Sequence, residues 1–256
     1  QIIRWLDIRF PEFSTVFKDW RGKTALVTLK SLPTPARVIA AGADGVMNLW
    51  SEHLKKSSRK KAEQLASVAA KSIGRTDGSN GAEAALANLL VQYELISGQL
   101  ETIEQLMYEL LLKVPHAGNL LAIKGIGIVT AAIIISEIGD IKRFQDPRQI
   151  LKMAGLSLRE NSSGKHKGKT TISKRGRRRL RKALFQAIIS MLATNAEFKV
   201  MHQNNLTREK NPLGKLQSVI ALCGKLVRVL YALLTKGYEY DVDKMTDDMN
   251  RSLKAA

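Results

Sequence analysis

Little in this sequence can form a disulfide and little can hold a transition metal. A single cysteine, Cys223, excludes a disulfide framework within the chain, and its apolar neighbours in SVIALCGKLVRVLYALL suit a reduced, buried thiol. That usage predicts a cytoplasmic setting. The four histidines, His53, His116, His166 and His202, are too dispersed for the close ligand spacing of a zinc site. Aromatic residues make up 5% of the chain, too few to furnish a base-stacking platform for single-stranded RNA. Apolar runs such as TAAIIIS fall well short of the roughly 20 residues that span a bilayer, and QIIRWLDIRF at the start lacks the layout of a signal peptide. No membrane partner is expected. Alternating apolar strands that end in acids are also missing. Asp7, Asp19 and Asp44 are available carboxylates, but none sits among others as a hard divalent ion requires, so no metal and no cofactor is assigned to this chain.

What the sequence has in excess is positive charge. The 256 residues carry a formal net charge of +18, and between Lys165 and Lys182 there are ten Lys or Arg and no acid. Such a balance concentrates polyanions around the protein but says nothing of fold. The 45% hydrophobic fraction is far too high for a disordered basic tail, so the chain folds around one large or two small cores.

The pattern along the chain is mainly α, a helical coiled-coil hairpin followed by a compact helical domain. In residues 1–56, QIIRWLDIRFPEF predicts a helix stopped near Phe10, because the residue before Pro11 disfavours helical geometry, and Pro35 fits the first turn of another. Residues 57–114 read as two helices broken by GRTDGSNG. Leu89, Tyr93, Ile96, Leu100, Ile103, Met107, Leu110 and Val114 repeat at alternating spacings of four and three, the seam of a left-handed supercoil. That stripe either packs on its own domain or joins two copies into a homo-oligomer.

Residues 115–238 hold the features that bear on phosphate. LLAIKGIGIVTAAIIISEIGDIKRF places Lys124-Gly125-Ile126-Gly127 between two apolar helical stretches, the layout of a helix-hairpin-helix. Its glycines allow close backbone approach and its following helix start presents amides to a phosphate. The plainer alternative is a simple helical turn. Pro147 and Gly155 bracket a short helix, after which NSSGKHKGKTTISKRG forms a loop with a brief extended stretch at TTIS. A helix then begins at Arg178, with Leu180, Leu184, Ile188 and Leu192 on one stripe. Arg178, Arg179, Arg181 and Lys182 sit at its first turns, where cations oppose the helix dipole and call for an external anion. Lys124, Gly125, Gly127, Lys165, Lys167, Lys169, Lys174, Arg175, Arg177, Arg178 and Arg181 are therefore the candidate DNA-backbone ligands. Ser162 and Ser163 are hydroxyls on a glycine-adjacent loop among cations, a chemistry that permits attack on a phosphorus atom but also occurs in ordinary loops. His166 is either a DNA or proton-transfer partner of that loop or a solvated loop histidine. Residues 239–256 read as a fraying tail.

KGIGIVTAAIIISEIGDIKRF, DPRQILKMAGL, NSSG, ISKRGRRRLRKALFQA and LGKLQSVIALCGKLVRVLYALL together resemble, in order and spacing, the C-terminal transposase domain of the DEDD-type insertion-sequence transposases related to the Piv DNA invertase. The likeness is most specific over residues 115–235. It implies DNA recombination by a C-terminal serine together with an N-terminal RuvC-like domain whose acids hold Mg2+, and in some members a structured guide RNA. Ser163 before Gly164 matches the family's serine-glycine, with Ser162 its neighbour and rival, and Ser173-Lys174-Arg175-Gly176 matches its basic turn. Leu158 stands where a proline is common, and Arg177 where asparagine is. Residues 1–56 read as the remnant or border of the RuvC-like domain, and the absent acidic tetrad makes a partial transposase the expectation. The competing expectation is a noncatalytic helical DNA-binding or architectural protein.

Overall fold

The computed structural model describes residues 1–159, 162–163, 166–167 and 170–244, with the backbone alone at 162, 163, 166 and 167. The candidate ligands Lys165 and Lys169, and residues 245–256 of the expected tail, lie outside the described residues. The chain is mainly helical, as predicted, and divides into two compact units, residues 1–100 and 101–256.

In the first unit α1 (Ile2–Arg9) stops as Pro11 demands, with Phe10 leaving helical geometry. α2 (Phe13–Val16) and α3 (Lys23–Ser31) follow, then α4 (Pro35–His53), where the Thr34 hydroxyl accepts a bond from the Arg37 amide and Pro35 occupies the first turn. Gly42, at φ 65°, kinks α4 midway. α5 (Arg59–Ala70) and the first turns of α6 (Ser79–Leu112) complete the core. That core is built on rings: Phe10, Phe13, Phe17 and Trp50 form a chain of contacts with centroids 4.6 to 6.1 Å apart. Trp50 Nε1 donates to Thr28 Oγ1 at 2.9 Å, and the Thr28 hydroxyl donates to the Thr24 carbonyl at 2.7 Å, so the buried polar edge is satisfied. The loop between α5 and α6 docks on α1 so closely that a Cβ on Gly74 would sit 2.0 Å from the Arg9 carbonyl oxygen.

No strand occurs among the described residues 1–100, and residues 1–56 share one helical core with α5 and α6. In the stretch 57–114 expected to form a hairpin, α5 packs on α4 and α2 and has 12 residues against the 34 of α6. Ala82, Leu86 and Leu90 of α6 are buried in the first core, and Leu89 and Tyr93 pack against it. Ile96, Leu100, Ile103 and Leu110 remain more than half exposed.

The second unit has an aliphatic core. A 3-10 turn (Ala117–Ala122) precedes α7 (Ile128–Ile138), a second (Ile141–Arg143) precedes α8 (Pro147–Ala154), and α9 (Arg178–Thr194), α10 (Ala196–Thr207) and α11 (Lys215–Lys236) follow. α8 opens as its sequence announces, with the Asp146 carboxylate accepting from the Arg148 amide and Pro147 in the first turn. α11 packs on α8, α9 and α10. Leu222, Cys223, Leu226, Val227, Leu230, Leu233 and Leu234 line its buried face, while Leu216 in its first turn is exposed. Among the described residues α11 is the one helix long and apolar enough to cross a membrane, and half of its apolar stretch is buried inside this unit. Burial pushes the Cys223 thiol up to about 12, which keeps it protonated and unreactive.

Between α8 and α9 the predicted serine loop runs as a ribbon. β1 (Leu158–Arg159) pairs antiparallel with β4 (Thr171–Ile172), where the extended stretch was expected, and β2 (Ser162–Ser163) pairs with β3 (His166–Lys167). The register places Ser163 across from His166 and Ser162 across from Lys167.

Candidate functional site

The ribbon is fastened at its base by the turn Ser173-Lys174-Arg175-Gly176. The Ser173 amide donates to the Ser157 carbonyl at 2.8 Å, that of Lys174 to Gly155 at 3.0 Å and that of Arg177 to Met153 at 2.7 Å. Those acceptors lie at and just beyond the carboxyl end of α8, where helix carbonyls lack intrahelical donors. Two glycines make the fit possible. A Cβ on Gly155 (φ 68°) would come within 2.8 Å of the Arg175 carbonyl oxygen, and one on Gly176 (φ 146°) within 2.2 Å of that of Met153.

The cations at this base fall into two groups. Arg181 is half-buried and acts as an internal strut, its Nη1 donating to the carbonyls of Ala154 at 2.8 Å and Lys174 at 3.2 Å. Arg177 donates to the Glu137 carbonyl at the end of α7, and its guanidinium lies 3.8 Å from the Glu137 carboxylate. Arg179 Nε lies 3.6 Å from the other carboxylate oxygen of the same residue. The external anion expected for the start of α9 is thus matched in part by an internal one. The side chains of Lys174, Arg175, Arg178 and Lys182 are exposed and carry no protein partner among the described residues. Sequence reasoning assigned no role to Glu137. The signal that it differs from an ordinary surface acid is its position in the last turn of α7, where the helix dipole disfavours negative charge.

The glycine hairpin is held elsewhere. Gly125, at φ 100°, lies against α9, and a Cβ there would come within 2.8 Å of the Met191 Cα, so its close backbone approach is to the protein itself. Gly127 is open, with nothing within 4 Å of a built Cβ, and caps α7 without a side-chain bond. Lys124 is exposed. The first element of this motif is a 3-10 turn and not an α-helix. Met191 is thirteen residues along α9 from Arg178, or about 20 Å at 1.5 Å per residue. The hairpin and the ribbon base therefore sit at opposite ends of the paired α7 and α9. The structure brings Lys174, Arg175, Arg177, Arg178 and Arg181 together and leaves Lys124, Gly125 and Gly127 apart from them.

The resemblance places its divalent ion in the N-terminal RuvC-like domain, not among these residues. No group of three or more His, Cys, Asp or Glu converges among the described residues. Asp19 is paired with Arg21 and Asp44 with Arg59, both on the surface of the first unit.

Residues 117–203 match the model of the family described as Transposase IS116/IS110/IS902, a span that includes the hairpin, the ribbon, its basic turn and all of α9. Among curated proteins, the chain is 31% identical over 121 residues to a probable family 20 transposase of Pseudomonas aeruginosa, a match covering 46% of this chain and 35% of that protein. It is 31% identical over 159 residues to the transposase for insertion sequence element IS1328 of Yersinia enterocolitica, covering 59% and 46%. It is 30% identical over 129 residues to a pilin gene-inverting protein of Moraxella bovis, covering 49% and 39%. The matched regions span less than half the length of each of these relatives.

Proposed function

Taking as premise the match of residues 117–203 to the Transposase IS116/IS110/IS902 family model, we propose that this chain binds DNA through the base of its ribbon and carries the serine nucleophile of a transposition reaction, Ser163. The observation that supports this most is the seating of the ribbon. Gly155, Gly176 and Arg181 lock it to α8, while Lys174, Arg175, Arg178 and Lys182 stay unpaired around its foot. A helix-locked base is what a nucleophile needs in order to meet a phosphorus at a fixed position.

In the proposed step the Ser163 oxygen forms a bond to a backbone phosphorus, and the bond from that phosphorus to a sugar oxygen breaks. The sugar leaves as a hydroxyl carrying the proton that serine gave up. One phosphodiester replaces another, so the exchange is reversible and a second sugar hydroxyl resolves it. The exposed cations balance charge on the nonbridging oxygens. Lys124 and the open start of α7 would hold the same duplex about 20 Å away, or about six base pairs at 3.4 Å each.

Salt dependence tests the binding half. Five unpaired cations (Lys124 with the four above) predict that log K for duplex DNA falls against log salt with a slope of about −4.5. An absence of binding at low salt would overturn it. The chemical half is tested with element-end DNA and a RuvC-like domain supplied in trans: protein–DNA adducts are lost in Ser163→Ala and retained in Ser162→Ala. Adducts that survive Ser163→Ala would remove it as nucleophile.

A noncatalytic DNA-binding role is the second reading, supported by the exposed cations at the ribbon's foot, which can hold phosphate without any chemistry. Salt-sensitive binding with no adduct under any supplementation would establish it. The exposed stripe Ile96, Leu100, Ile103 and Leu110 supports a homo-oligomer joined along α6, read as a dimer mass in light scattering. A structured guide RNA belongs to the same proposal and is read by competition against duplex DNA.

A further inference from the structure

The charge pattern at the foot of the ribbon contains two misplacements that cancel. Glu137 stands in the last turn of α7, where a helix dipole repels an acid, and Arg177 and Arg179 stand at the opening of α9, where it repels a base. Each alone is unfavourable. The antiparallel packing of α7 on α9 brings them together, with Arg177 held by both the carbonyl and the carboxylate of Glu137, and Arg179 by the second carboxylate oxygen. The Glu137 side chain is only 16% exposed, while those of Arg177 and Arg179 are 48% and 78% exposed. The acid is therefore fixed from behind and the two guanidinium groups face outward.

Resting on the DNA-binding reading above, we infer that Glu137 is an internal stand-in for phosphate, which holds Arg177 and Arg179 in position and competes with the DNA backbone for them. A carboxylate and a phosphate offer a guanidinium the same paired oxygen acceptors. The pair orients the two arginines without a ligand, and lowers affinity by the strength of the contact a phosphate must displace. Neighbouring Arg178 has no such partner and meets phosphate at full strength.

The test uses the whole chain and a duplex oligonucleotide, with affinity measured between 50 and 200 mM salt. Glu137→Gln keeps the shape and removes the charge. It binds about three- to tenfold more tightly at 50 mM salt, with a slope steeper by about 0.9 to 1.8 as one or two guanidinium groups gain phosphates. Arg179→Gln costs less affinity than Arg178→Gln in the native background and about as much in the Glu137→Gln background. A purely structural Glu137 would not produce that coupling. Equal losses for Arg178→Gln and Arg179→Gln in the native background would overturn the inference, and that comparison stands even if Glu137→Gln fails to fold. A folded Glu137→Gln chain that binds as the native one does would overturn it too. Failure of the native chain to bind at all would instead reject the DNA-binding reading.

Discussion

The two units of this chain distribute charge and rings in opposite ways. Residues 1–100 carry 14 Lys and Arg against 9 acids and hold all three tryptophans, whereas residues 101–256 carry 27 against 14 and no tryptophan. In the first unit the acids meet bases pairwise, as in Lys30 with Glu94, Arg37 with Glu83 and Arg59 with both Asp44 and Glu63. In the second, the basic run after the ribbon meets Glu137, and Lys174, Arg175, Arg178 and Lys182 are left facing outward. The first unit keeps a smaller excess of positive charge, five against thirteen in the second. On the proposed reading, phosphate contact falls to the second unit.

Substitutions aimed at one unit should leave the other intact. Trp50→Ala empties the centre of the aromatic core and removes the donor to Thr28, at a cost of about 3–5 kcal/mol. In urea unfolding it should shift a transition belonging to residues 1–100 and leave DNA affinity within twofold. A common shift of all unfolding signals would break the division into two cooperative units. Gly176→Ala is the counterpart in the second unit, because a Cβ cannot fit against Met153 and φ 146° is strained for alanine. A loss of about 1–3 kcal/mol is expected, accompanied by weaker DNA binding as the ribbon base is displaced.

The smallest expected effect concerns pH. Burial pushes the Glu12 carboxyl up, but the Ser72 hydroxyl at 2.5 Å and the Ile73 amide at 3.0 Å outweigh it and hold the group below its ordinary range. The folded state thus favours the charged form. Its stabilising contribution is complete above the ordinary glutamate value of about 4.3 and is lost as pH falls through the lower folded value. Glu12→Gln should cost about 1 kcal/mol at neutral pH after allowance for solvent screening, and the gap should close in acid. A gap that widens in acid would reverse the assignment.

Local chemistry was readable from sequence wherever a residue and its neighbours along the chain decide the outcome. Pro11 ends α1, Pro35 starts α4, and Pro147 and Gly155 bracket α8. Of the stripe Leu180, Leu184, Ile188 and Leu192, the first three are buried and Leu192 is half-buried against the same core. What could not be read depends on which elements meet. Gly125 fits a ligand-binding hairpin by pattern, and only the packing of α9 reveals that Met191 occupies the space beside it. The seam along α6 is regular in sequence, yet its start, Leu89 and Tyr93, packs half-buried against a core drawn largely from residues 1–70 and its middle lies open. At the candidate site the serine and the basic turn were legible as a segment. The division of its cations into struts and free groups was not, because Glu137 is forty residues before Arg177 and Ala154 is twenty-seven before Arg181.

The clasp formed by Gly155, Ser157, Ser173 and Lys174 also bears on how this domain tolerates change in length. The two ends of the ribbon are tied together at its foot by backbone bonds of 2.8 and 3.0 Å, so the segment between them is a closed excursion whose ends are fixed independently of its content. Each doubling of such a loop adds only about 0.6 kcal/mol of closure entropy. Insertions, deletions or a transplanted hairpin between Ser157 and Ser173 should leave the helical body standing, which makes the ribbon an exchangeable cassette on a fixed mount.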